Sequence, residues 1–194
     1  KKTLKTIEDD INDHIKQNHP VTISHATLAE AKKKGVMALF GEKYDENRVR
    51  VVDLGGFSVE LCAGTHVKQT GRLDHFKLIS ESAISAGTRR IEALVGHDAV
   101  YDYLRQKQEK KQQDLVKQLK TITDTVKGVG HPWKESLRDI ESNIHKPIKG
   151  LSINQLEHEL EGLDQLDVVL KELAKNIRKS QEKAQLNESL AEAS

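Results

Sequence analysis

A cysteine and a histidine four residues apart carry the most chemistry in this chain: Cys62 and His66, in the run Cys62-Ala63-Gly64-Thr65-His66. At that spacing both can reach one side of a turn, and a thiolate and a neutral imidazole are both zinc ligands. Zinc asks for at least three protein ligands, so a bare pair is half a site, and a single cysteine is as commonly a small buried hydrophobe. The remaining histidines are not spaced to complete it. His14 and His19, five apart, would stand about 140° apart around a helix. His25, His75, His97, His131, His145 and His158 read as surface or capping residues. Gly87 with Arg89 and Arg90 suggests phosphate binding, because a guanidinium grips phosphate with two parallel donors. A turn glycine, with arginines paired to Glu81 or Glu92, accounts for the same residues equally well. The runs Lys32 to Lys34 and Lys107, Lys110, Lys111 could touch an RNA backbone, but such runs are more often solvated helix faces. Ser58, Ser80 and Ser82 lie near acidic residues without forming a nucleophile triad. There is no Walker-type glycine-rich loop, which places ATP chemistry outside this chain.

The elements that must hold these residues fall into two halves. Leu4, Ile7, Ile11 and Ile15 recur at helical spacing ahead of Pro20. Val21-Thr22-Ile23 predicts a short strand. Ser24 or Thr27 is placed to cap a helix through Leu28 and Ala31 that ends at Gly35. Val49, Val51 and Val52 predict a strand, Gly55-Gly56 a turn, and Phe57 to Leu61 a further extended piece. Phe76, Leu78 and Ile79, and then Arg90 to Val95, complete an α+β pattern. After Gly96 the chain turns to helix formers. One stripe runs through Val100, Leu104, Leu115, Leu119, Ile122 and Val126 and is broken by Gly128, Gly130 and Pro132. A second runs through Trp133, Leu137, Ile140 and Ile144 and stops before Pro147 and Gly150. The third, Leu156, Leu160, Leu163, Leu166, Leu170, Leu173 and Ile177, is nearly a heptad seam with one extra three-residue step at Leu166. Such a defect argues against a long ideal coiled coil and for an antiparallel helical hairpin. The division expected is therefore 1–97, α+β, and 98–194, helical with a coiled-coil-like seam.

Composition bounds the rest. Only 36% of the 194 residues are apolar and 4% aromatic, lean for one globule and fitting a chain that is partly extended helix. Thirty-one basic residues against thirty acidic ones leave a net charge of +1, so RNA contact would have to come from local patches. One cysteine excludes an internal disulfide and leads us to expect a reducing, cytoplasmic setting. No apolar run approaches the roughly 20 residues that span a bilayer. Opening on Lys1 rather than Met leads us to expect an excised or processed piece.

Several stretches together resemble, in order and spacing, the editing domain of alanyl-tRNA synthetases. They are Leu39 to Tyr44, Arg48 to Val52, Glu60 to His66, Thr70-Gly71, Phe76 to Ser82 and Gly87 to Ala93. The likeness covers roughly Leu4 to Gly96 and extends to free-standing alanyl-tRNA editing proteins and, more distantly, to threonyl-tRNA synthetases. It implies that Cys62 and His66 form the second half of a zinc site; Thr65, Gly87, Arg89 and Arg90 are candidates to meet the tRNA terminus. The implied reaction is hydrolysis of the ester joining serine or glycine to the 3' end of alanine tRNA. Ala63 stands where the family more often has glycine. The family's upstream H-x-x-x-H half-site is missing, so the zinc site is expected to be incomplete and the chain inactive alone. The same resemblance puts ATP-dependent attachment of alanine upstream, and makes the later helices a linking region that contributes to a homodimer. A free-standing editing hydrolase would show all four ligands. A helical self-association or tRNA-binding module would need only the seam.

Overall fold

The computed structural model describes residues 2–38, 43–126 and 134–192. Leu39 to Glu42, the break at Gly128, Gly130 and Pro132, His131 and Trp133 lie outside the described residues. The chain divides into two compact units, Lys1–Val100 and Tyr101–Ser194.

The first unit opens with α1 (Lys2–Lys16), followed by β1 (Val21–Ala26), α2 (Leu28–Lys33), β2 (Val49–Leu54) and β3 (Ser58–Leu61). A 3-10 turn (Thr70–Leu73) then leads into β4 (Phe76–Ser85) and β5 (Thr88–Val95). The first three strands form an antiparallel sheet in the order β1-β2-β3, and the last two a separate hairpin. Thr27, not Ser24, caps α2. Its hydroxyl accepts from Glu30 N–H at 3.2 Å, while the Glu30 carboxylate accepts from Thr27 N–H at 2.9 Å. Ser24 lies inside β1, which runs longer than the expected Val21-Thr22-Ile23. Alternation along the sheet puts Val49, Val51 and Leu61 on one face, where they pack with Ala31 of α2.

Polar side chains tie α1 to the hairpin. The Asn12 amide donates to Phe76 O at 2.8 Å and accepts from Phe76 N–H at 2.9 Å, much as a neighbouring strand would. The buried Glu8 carboxylate accepts from Leu78 N–H and from Lys77, both at 2.9 Å. Burial pushes the Glu8 carboxyl up, but the bonds from Lys77, Leu78 and Lys5 outweigh it and hold it below the usual range.

The second unit continues α3 (His97–Thr125) and adds α4 (Lys134–Ile144) and α5 (Ile153–Glu192). Leu115, Leu119 and Ile122 meet Leu137, Ile140 and Ile144, and both sets meet Leu163, Leu170, Leu173 and Ile177. Gln112 of α3 donates to Ile144 O at 2.8 Å, so α4 runs back along α3. Lys111 pairs with Asp167 at 2.9 Å and Gln181 donates to Thr125 O at 3.3 Å, so α5 runs parallel to α3. The expected helical hairpin is thus extended to three helices. Leu166, the extra three-residue step, sits only partly buried between buried Leu163 and Leu170, because a three-residue step falls about 60° short of a turn.

Asp167 is the polar centre of this unit, accepting from Lys111 at 2.9 Å, Lys171 at 2.9 Å and Gln118 at 3.1 Å. Those bonds, Lys111 first and Lys171 second, outweigh burial and hold its carboxyl far below the usual range. A carboxylate with a depressed folded pKa stabilises fully above its ordinary value of about 4 and loses that contribution as pH falls. Asp167→Asn should cost about 1 kcal/mol at neutral pH and flatten the fall in urea midpoint below about pH 4. An unchanged acid slope in the variant would remove Asp167 from this role.

Candidate metal half-site

The strand register builds the site. Val51 pairs with Leu61 and His25 with Arg50, so His25, Arg50 and Cys62 lie in a row across the sheet. That row occupies the face opposite the α2 core, together with Ile23, Val52 and Glu60. The β2–β3 ladder runs one step past β3, with Cys62 N–H donating to Arg50 O at 3.2 Å. From there the chain crosses to the other edge of the sheet, where Val21 N–H of β1 donates to Lys68 O at 3.0 Å. The loop between these anchors carries Thr65 and His66, both exposed, whereas Cys62 is half-buried. A Cβ added at Gly64 would lie 3.6 Å from Cys62 Sγ, so the thiol stays close to its own turn.

A donor set of one half-buried thiol and one exposed imidazole on the same short loop fits zinc as half a tetrahedral site. No group of three His, Cys, Asp or Glu residues among the described residues could hold a metal ion. His14 and His19 come closer than helical spacing suggested, with ring centroids 5.8 Å apart. The reason is that α1 ends at Lys16 and Asn18 turns back with φ of 52°. Their rings gather on Phe57, His14 stacked at 3.9 Å, and Thr70 Oγ1 donates to His14 O at 2.9 Å.

Gly87 and the arginines lie on the separate hairpin. Gly87 occupies its turn with φ of 77°. Arg89 donates to Glu81, and the exposed Arg90 shares a face with Glu92, which accepts from Ser80 at 2.8 Å. Lys111, half of a basic pair with Lys110, is engaged by Asp164 and Asp167 at 2.9 Å each. Sequence reasoning missed Arg50 as a site residue. Its charge amid alternating valines marked an outward-facing position, but nothing local revealed that it would meet the Cys62 loop.

Residues 49–92, from β2 through β3 and the loop into the β4–β5 hairpin, match the family model described as the threonyl and alanyl tRNA synthetase second additional domain. The match and the fold place the chain in that class, a small-sheet α+β domain followed by long helices. Relatives extend the match in both directions. The alanine--tRNA ligase of Rickettsia akari (strain Hartford) is 39% identical over 173 residues, covering 88% of this chain and 19% of that protein. That of Clostridioides difficile (strain 630) is 35% identical over 190 residues, 90% of this chain and 21% of that protein. That of Shewanella amazonensis (strain ATCC BAA-1098 / SB2B) is 54% identical over 97 residues, half of this chain. The chain is an alanyl-tRNA synthetase-related segment, spanning about a fifth of the length of the Rickettsia akari and Clostridioides difficile relatives. Among the described residues, no helix is long and apolar enough to cross a membrane.

Proposed function

We propose that this chain supplies the later part of an editing site that hydrolyses the ester between a wrong amino acid, serine or glycine, and alanine tRNA. The observation that carries the reading is the Cys62–His66 loop, anchored at both ends and lying within the matched residues 49–92. Cys62 and His66 would be two zinc ligands, and an upstream histidine pair would be the others. Zinc, when bound, supplies a Lewis acid or a hold on the substrate's amino group. The chain's own residues shape the loop, with Thr65 beside His66 at the open surface to meet the tRNA terminus. Arg89 and Arg90 are candidates for its phosphates, although Arg89 would have to exchange Glu81 for them. The setting is the cytoplasm, and the helical unit is a linking element.

Zinc content tests this. The chain alone should hold well under one equivalent and leave mischarged tRNA unhydrolysed, whereas an upstream-extended version should hold about one. Cys62→Ala in that version should abolish it. A full equivalent bound by this chain alone would overturn the half-site reading. A homodimer through the helices is a second reading, supported by the exposure of Leu186 (61%) and Leu190 (60%) late in α5, beyond the seam that packs within the unit. A sedimentation coefficient independent of concentration would dismiss it.

A further inference from the structure

We infer that Arg50 is the positioning residue of the Cys62–His66 loop. Its Nη1 donates to Cys62 O at 2.5 Å and to Gly64 O at 2.8 Å, while its own carbonyl accepts from Cys62 N–H at 3.2 Å. One residue therefore holds Cys62 by both its N–H and its C=O, and Gly64 by its C=O. Two carbonyl oxygens converge on a single nitrogen. Their dipoles repel one another there unless a cationic donor stands between them, and hydrogen bonds from a charged donor are stronger than neutral ones. Arg50 is also well founded for the task. It lies on β2, the central strand, between β1 and β3, so the clamp is referred to the most rigid part of the sheet. Between this clamp and the second anchor at Lys68, Thr65 and His66 are exposed, so the direction of the loop is set mainly at its first three residues.

What the loop is for rests on the ligand reading of Cys62 and His66; that Arg50 sets its geometry does not. The experiment is amide hydrogen exchange across residues 62–68 in wild type, Arg50→Ala, Arg50→Lys and Arg50→Gln, with thermal midpoints as control. Arg50→Ala should speed exchange at Cys62, whose N–H donates to Arg50 O, by about tenfold through loss of the charge-assisted bonds that hold its peptide, with little change elsewhere in β2. Arg50→Lys should recover part of the protection and Arg50→Gln less, since the ammonium keeps the charge but not the fork. Equal exchange in wild type and Arg50→Ala overturns the inference, as does a rise spread over the whole sheet. Zinc affinity of the upstream-extended chain separates this inference from the functional reading. Wild type that binds no zinc sinks the ligand reading and leaves exchange to decide on Arg50. Zinc held as tightly in Arg50→Ala as in wild type sinks the positioning role while the ligand reading survives.

Discussion

Leu170→Ala should lower the stability of the helical unit by about 2–5 kcal/mol, the range for emptying a well-packed leucine position. Leu170 is fully buried, at 0% exposure, in the cluster where all three helices meet, so the lost methyls leave a cavity that α3, α4 and α5 cannot close independently. Sixteen residues further along the same helix, Leu186 is 61% exposed, and Leu186→Ala should change stability by no more than about 0.5 kcal/mol. Urea titration followed by helical circular dichroism checks both. Comparable losses in the two variants would mean that the seam does not end where α3 ends. The contrast matters for the dimer reading, since a dimer through late α5 would raise the cost at Leu186 and make it depend on protein concentration.

Gly55→Ala should cost about 2–4 kcal/mol in the first unit, combining an unfavourable left-handed backbone with overpacking. Gly55 has φ of 65°, and a Cβ there would fall 2.7 Å from Cβ, Cγ and Nδ1 of His19. His19 has little room to give, because its N–H donates to Thr70 Oγ1 at 2.9 Å and its ring leans on Phe57. Gly87→Ala is the matched comparison. Its φ is 77° but nothing lies within 4 Å, so only the backbone term of about 1 kcal/mol should appear. Thermal midpoints of the two variants decide the matter, and equal shifts would show that the His19 contact is soft.

The elements were legible along the chain because period and punctuation are local properties. The valines of β2, the glycine turn, the three helical stripes and the α+β class followed from residue order, and the Cys62-to-His66 spacing named the candidate chemistry. Tertiary structure alone decided what meets what. That α5 runs parallel to α3 depends on α4 returning between them, which no stripe encodes. Asn12 acting as a strand edge for Phe76 joins residues 64 apart in the chain. His14 and His19 approach because a left-handed Asn18 ends the helical geometry from which their separation was inferred. Arg50 reaches Cys62 and Gly64 only because β2 and β3 pair in one register, and a slip of one residue would send its side chain to the opposite face. Residue types set which chemistry is available, whereas strand register and helix order, being long-range, set which of those groups can act together.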